Sequence, residues 1–311
     1  GQAAKGIQGM GRVKNIEDAL KFQKMGYLIY PNPSELAVAE NYRNDKGQIF
    51  EKIGKLPMWN EEILINRAAE LRKLGAERVC FKTGPFDPKD LARILKIASK
   101  ADVDLVTFDG AGGGSGNSPV KMMNEWGIPT LYMESLLYNI LKKMKEKNYS
   151  LPQVAIAGGI AMEDHVYKAL ALGAPFINMV GIGRAAMAAA LSGRQVGELI
   201  SRGKVPAEYQ RFGTTVEEIF GDIRELKTLY DDVSDISTGA IGVYSYINRI
   251  TAGLKQLMAL NRKFSIEYID RNDIIPMTEI AASVTGLKSY MDIANEIIDE
   301  IYLAKGELFD Y

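Results

Sequence analysis

The residues best placed to do chemistry lie in three glycine-rich stretches, each directly after a short apolar run. The densest spans Asp109 to Pro119 and includes Gly113, Gly114, Ser115 and Gly116. Backbone of this composition can adopt positive φ and approach a ligand closely. Its amide N–H groups can then hold a phosphate or a carboxylate. Gly158 and Gly159 make the second stretch, and Gly181, Gly183 and Arg184 the third. Glycine pairs after two consecutive strands, the second with an arginine, match a barrel phosphate site. One such pair is more often a tight turn; three in consecutive units are more specific. The spacing is neither the G-x-G-x-x-G with a following acid of a dinucleotide fold nor a Walker loop, because no Gly-Lys-Ser/Thr follows.

Lys82 closes the run Arg78–Lys82. Strand alternation puts Cys80 and Lys82 on one face and Val79 and Phe81 on the other. If the second pair packs on helices, Lys82 points into the site, where its charge could meet an anion. The competing reading is a lysine reaching solvent from a strand end. Cys80, one layer deeper, reads as a small buried hydrophobe. His165 reads as a surface or capping histidine, and Trp59 and Trp126 as packing residues.

These positions need strands to carry them. Gly26–Tyr30, Arg78–Lys82, Asp104–Phe108, Gln153–Ala157 and Phe176–Val180 are short, apolar and bounded by turn residues, which predicts buried parallel strands. Between them, Glu61–Leu74, Pro88–Ser99, Glu134–Lys147 and Glu163–Leu172 have helical periodicity. Asp87 is an N-cap candidate with Pro88 at the first helical position. Alternating strand and helix is the pattern of an α/β fold. From about residue 206 the texture becomes helical throughout, at Thr214–Tyr230, Val243–Leu260, Pro276–Val284 and Ser289–Leu303. The expected division is a barrel-like part, 1–205, and a helical extension, 206–311. Five strands fall short of the eight of a closed (β/α)8 barrel.

The 311 residues include 38 Lys plus Arg and 39 Asp plus Glu, a formal charge of -1. That balance gives no electrostatic case for nucleic acid or an anionic membrane. No apolar run approaches the roughly 18 residues of a membrane helix, and no secretory signal is visible, so a cytoplasmic location is expected. One Cys and one His exclude a disulfide framework, a Cys-ligated iron–sulfur cluster and a multi-His metal site built from this chain alone. No metal is expected.

Together the loops resemble the FMN-binding barrel of the glutamate synthase family. Gly113–Pro119 is similar to the family's Gly-Gly-Thr-Gly-Ala-x-Pro loop, and Val154–Ile160 to its second glycine strand end. Gln2 to Lys5, followed by Gly6, Gly9 and Gly11, is similar to its Gln-Gly-Ala-Lys stretch. Val79–Lys82 is similar to the strand whose lysine contacts the flavin, and Ile182–Met187 to the last phosphate loop. Gly253–Met258 and Asp270–Asp273 resemble its C-terminal helices, so the resemblance covers nearly the whole chain. There are departures. Ala188–Arg202 contains none of the cysteines that hold the family's iron–sulfur cluster, Ala111, Gly112 and Ala157 replace polar residues, and the expected protein is one without a glutaminase domain.

The resemblance implies a (β/α)8 TIM barrel whose first strands come from an N-terminal segment or a second chain. It implies FMN as cofactor and an oxidoreductase that reduces a 2-imino or 2-oxo acid, 2-oxoglutarate to glutamate in the family, with an unidentified electron donor. Lys82 and Lys5 would be catalytic. Gln2, Lys82, Asp109, Gly113, Gly114, Ser115, Gly116, Gly158, Gly159, Gly181, Gly183 and Arg184 would bind the cofactor. An oligomer is expected. The alternatives are a flavin- or phosphate-binding barrel with isomerase-like chemistry, and a non-catalytic scaffold subunit.

Overall fold

The computed structural model describes residues 11–44, 49–55, 60–84, 87–113, 125, 127–230, 233 and 235–303. In chain order the first elements are β1 (Gly11–Val13), α1 (Ile16–Lys24), β2 (Tyr27–Tyr30), α2 (Leu36–Arg43) and β3 (Phe50–Lys55). They form a small antiparallel sheet of order β1-β3-β2. One face is closed by the cluster Val13, Ala19, Ile29, Val38 and Phe50. Here the sequence expectation for Gly26–Tyr30 is corrected. The run is an antiparallel edge strand of this separate sheet, with Leu28 and Tyr30 exposed. Four apolar residues look the same in either kind of ladder, and its partner β3, read from Phe-Glu-Lys-Ile-Gly-Lys, hides among charged residues.

The next elements are α3 (Glu61–Lys73), β4 (Cys80–Thr83), α4 (Pro88–Lys100), β5 (Leu105–Asp109), α5 (Thr130–Glu146), β6 (Gln153–Ala157), α6 (Glu163–Gly173) and β7 (Ile177–Gly181). Four of the five expected strands thus form a second sheet, of order β4-β5-β6-β7, with β4, β5 and β6 parallel. Local sequence explains the helix starts. The Asp87 carboxylate accepts the Lys89 amide at 2.7 Å beside Pro88, and Asn60 accepts the Ile63 amide at 2.9 Å to start α3. The apolar stripe Leu91, Ile94, Leu95 and Ala98 then buries α4.

The two faces of this sheet differ. Val106, Phe108, Val154 and Ile156 alternate onto the face that α5 packs against, and all four are fully buried. On the opposite face Leu105 and Thr107 are half-buried and Cys80 is exposed. The expectation of a buried Cys80 therefore fails, because among the described residues nothing covers the inner face at that level. The sheet has two ends, β4 and β7, so the described strands make an open parallel sheet and not a closed barrel.

Beyond β7 the chain is helical: α7 (Arg184–Ser201), α8 (Ala207–Gln210), α9 (Val216–Ile219), α10 (Ile223–Leu229), α11 (Thr238–Leu260), α12 (Glu279–Thr285) and α13 (Tyr290–Leu303). The expected helix Thr214–Tyr230 is two short ones. A reciprocal Thr215–Glu218 cap starts α9, and the helix breaks at Phe220-Gly221 before α10 begins. The chain forms two compact units, Gly1–Gly159 with Ala171–Met179 and Asp270–Tyr311, and Ile160–Leu170 with Val180–Ile269. This grouping is discontinuous in sequence and does not turn on a boundary at residue 205. Within the second unit, α7 and α11 meet along a seam of small residues. A Cβ added at Gly193 would stand 2.5 Å from the Thr238 carbonyl oxygen, and one at Gly242 2.6 Å from that of Ala189.

Candidate functional site

The first unit gathers Lys82, Asp109, Gly113, Gly158 and Gly159 at the C-terminal tips of β4, β5 and β6. The parallel register pairs Lys82 with Thr107 and Asp109 with Ala157. Thr107 and Asp109 are two residues apart on one strand, so Lys82 and Asp109 share a face. The lysine side chain climbs one layer, and its Nζ lies 2.8 Å from Asp109 Oδ2. The carboxylate is 3% exposed and the lysine 36%. The contact is an ion pair without hydrogen-bond geometry, since the buried Oδ2 accepts no hydrogen bond.

The loops after β5 and β6 are locked together. The Gly110 amide donates to the Ala157 carbonyl at 2.8 Å, Ala111 to Ile128 at 2.8 Å, and Gly113 to Gly110 at 2.8 Å. The Thr130 hydroxyl, at the start of α5, donates to the Gly158 carbonyl at 2.7 Å. Glycine is required by this packing. A Cβ at Gly112 would stand 2.9 Å from the Gly159 nitrogen, one at Gly158 3.0 Å from the Gly110 and Gly113 nitrogens, and one at Gly113 would overlap the Asp109 carboxylate. Gly158 and Gly159 also hold positive φ, +118° and +75°. A Cβ at Gly159 would meet nothing, so that side of the loop is open.

Residues 57–194 match the family model described as the conserved region in glutamate synthase. This stretch begins before α3, contains the whole site just described and ends within α7. The match supports a glutamate synthase family domain over residues 57–194. The chain is 35% identical over 91 residues to an archaeal-type glutamate synthase [NADPH] from Dehalococcoides mccartyi, covering 29% of the chain and 17% of that protein. It is 26% identical over 122 residues to the glutamate synthase large subunit-like protein YerD of Bacillus subtilis, covering 39% and 23%. The chain therefore spans well under two thirds of either relative. The small sheet β1–β3 and the helices after α7 lie outside the family match.

The other expected site residues fall elsewhere. Gln2, Lys5, Gly114, Ser115 and Gly116 lie outside the described residues. Gly181, Gly183 and Arg184 belong to the second unit, where Gly181 ends β7, Gly183 caps α7 and Arg184 opens it. Sequence reasoning missed Thr130, the clamp on the Gly158 peptide. The sequence periodicity begins this helix only at Glu134, and nothing local points to a partner 28 residues away.

Sequence reasoning also missed Glu134, one turn further along α5. This carboxyl is 3% exposed, and its Oε1 is buried without a hydrogen-bond partner. Burial pushes its pKa up to about 9, with the Arg271 guanidinium opposing in part. That arginine donates to the carbonyls of Leu172 and Thr285, both at 2.5 Å, and lies 3.9 Å over the Tyr138 ring.

At the opposite, N-terminal ends of β4–β6, a cavity of about 310 Å³ is lined by Arg78, Ser99, Asp102, Asp104, Ser150 and Gln153 among others. Asp104 there accepts the Val79 amide at 2.7 Å and pairs with Arg72 at 3.0 Å. The amide and the guanidinium hold its carboxyl below the usual range. In parallel α/β sheets this end carries stability, and the strand tips carry chemistry. Among the described residues no group of three or more His, Cys, Asp and Glu could hold a metal, and no helix is long and apolar enough to cross a membrane.

Proposed function

We propose that the chain is the FMN-binding part of an oxidoreductase of glutamate synthase type, which reduces a 2-imino acid formed from a 2-oxo acid. The observation that carries this reading is the Lys82 ammonium, held at the strand tips of a glutamate synthase family domain beside glycine loops. The residues fit the cofactor. A flavin needs a cation near the part of the ring that gains negative charge on reduction, and close backbone approach at its rim. Lys82 supplies the first, and the open side of Gly159 supplies the second.

The amides of Gly110, Ala111 and Gly113 are already bonded within the loops. Phosphate contact is therefore assigned to Gly158 and Gly159, as the resemblance implies. The resemblance also implies cofactor contacts for Gly114, Ser115 and Gly116. Gln2 and Lys5 contact flavin or the acidic substrate. FMN, when bound, supplies the hydride that turns an imine into an amine. The protein orients the ring, presents a positive charge to it and excludes water from the tips.

The uneven faces of the sheet support a further part of this reading. The half-buried Leu105 and Thr107 and the exposed Cys80 form the face that a (β/α)8 barrel turns inward. Further strands, from an additional segment of the polypeptide or from a second chain, would cover it. An electron donor and a higher-order assembly complete the proposal.

The test is direct. Purified protein should show flavin absorbance or take up added FMN with quenching of its fluorescence. After chemical reduction, adding 2-oxoglutarate and ammonia should reoxidise the bound flavin. A colourless protein that takes up no FMN removes the reading.

A further inference from the structure

We infer that Asp109 acts through Lys82, as a positioning residue that fixes the ammonium at the rim of the strand tips, and does not itself touch the cofactor. The inference rests on the proposed FMN site. Three observations point to it. The carboxylate is 3% exposed, so a ligand over the strand tips does not reach it, whereas Lys82 is 36% exposed. The lysine belongs to the layer of Thr107, one layer below Asp109, about 7 Å lower along a strand. A free lysine there could reach solvent in many directions, and the carboxylate is what draws its Nζ upward to 2.8 Å from Oδ2. Finally, the carboxylate is seated from behind. The Gly110–Gly113 turn, closed by the Gly113 amide on the Gly110 carbonyl, presses Gly113 against Oδ1. The carboxylate thus holds the ammonium from the buried side, while the 36% exposure of Lys82 leaves its other side open to a ligand.

The experiment titrates FMN into the full chain and into Lys82→Met, Asp109→Asn and the double variant, following flavin fluorescence, and measures the midpoint potential of the bound flavin. Each single change should raise the FMN dissociation constant roughly tenfold, with the double variant no worse than either. Both single changes should lower the midpoint potential, because each removes the ammonium from the reduced ring. Gly113→Ala, which unseats the carboxylate while leaving both charges in the chain, should reproduce Asp109→Asn and serves if that variant does not fold. A full-sized effect of Asp109→Asn in the Lys82→Met background, or a raised potential, would show Asp109 acting directly on the flavin and overturn the inference. Wild-type protein that takes up no FMN sinks the functional reading instead. The pair is then read from denaturant midpoints of the same four proteins, where additive effects overturn the coupling and non-additive effects uphold it.

Discussion

Two carboxyl groups in the first unit are buried to the same extent and resolve that burial in opposite ways. Asp109, at the tip of β5, faces an ammonium at 2.8 Å. Glu134, on α5, has an arginine nearby, but that guanidinium donates to two backbone carbonyls and stacks on Tyr138. With Oε1 unpartnered, Glu134 keeps its proton, its pKa pushed up to about 9. A buried charge must be paired or given up. The strand tips keep theirs as an ion pair with one half-exposed partner, which suits a site that meets an anionic ligand. The helix region gives its charge up, which suits packing.

The largest effect that would sharpen this contrast is in Glu134→Gln. The folded carboxyl holds a proton that the unfolded chain, with the ordinary value of 4.5, releases. Stability from this group is therefore full below pH 4.5, falls as pH rises toward about 9 and is flat beyond. The amide abolishes that slope, so urea unfolding at pH 7 should show a gain of about 3 kcal/mol, shrinking to nothing near pH 4. An unchanged pH profile would place the ionised form in the fold and erase the contrast.

Lys82→Ala should act in the opposite sense. Leaving Asp109 buried and unpaired should cost about 2 kcal/mol of unfolding free energy, below the value for a fully buried pair because the lysine is partly solvated. A neutral result would mean that the carboxylate finds another partner. Arg271→Lys is expected to cost about 1.5 kcal/mol, since lysine keeps the charge but cannot reach both carbonyls and stack on Tyr138. If the cost vanished, the guanidinium would not be what holds the Leu172 and Thr285 carbonyls together.

The smallest effect is kinetic and concerns the open face. Cys80 should react with a thiol reagent about as fast as a free thiol in the isolated chain. It should become protected in an assembly whose added strands cover Leu105 and Thr107. Equal reactivity in both would leave the inner face open and remove the barrel proposal.

The candidate site was legible in sequence to the extent that its residues follow local rules. Short apolar runs bounded by turn residues located β4 to β7, and Asp87-Pro88 announced α4. Glycines after three strands marked the tips, because only glycine allows loops to approach so closely. Alternation put Lys82 on the face of Cys80, and which way that face turns was left to the packing. These features depend on neighbours within a few residues, so one chain in one dimension contains them.

What sequence left open needed distance. Whether Tyr27–Tyr30 pairs in parallel or antiparallel depends on a partner twenty residues on. Cys80 looked buried because its strand is apolar, yet exposure depends on what lies across the sheet. The Asp109 partner was decided by the β4–β5 register, the clamp on Gly158 by the fold of α5 toward β6, and the proton on Glu134 by its burial, which an arginine 137 residues later only partly opposes. Sequence determined which residues could make strands, tips and charges. Tertiary structure alone decided which charges meet, because the energy of a buried ionisable group is set by its surroundings and not by its neighbours in the chain.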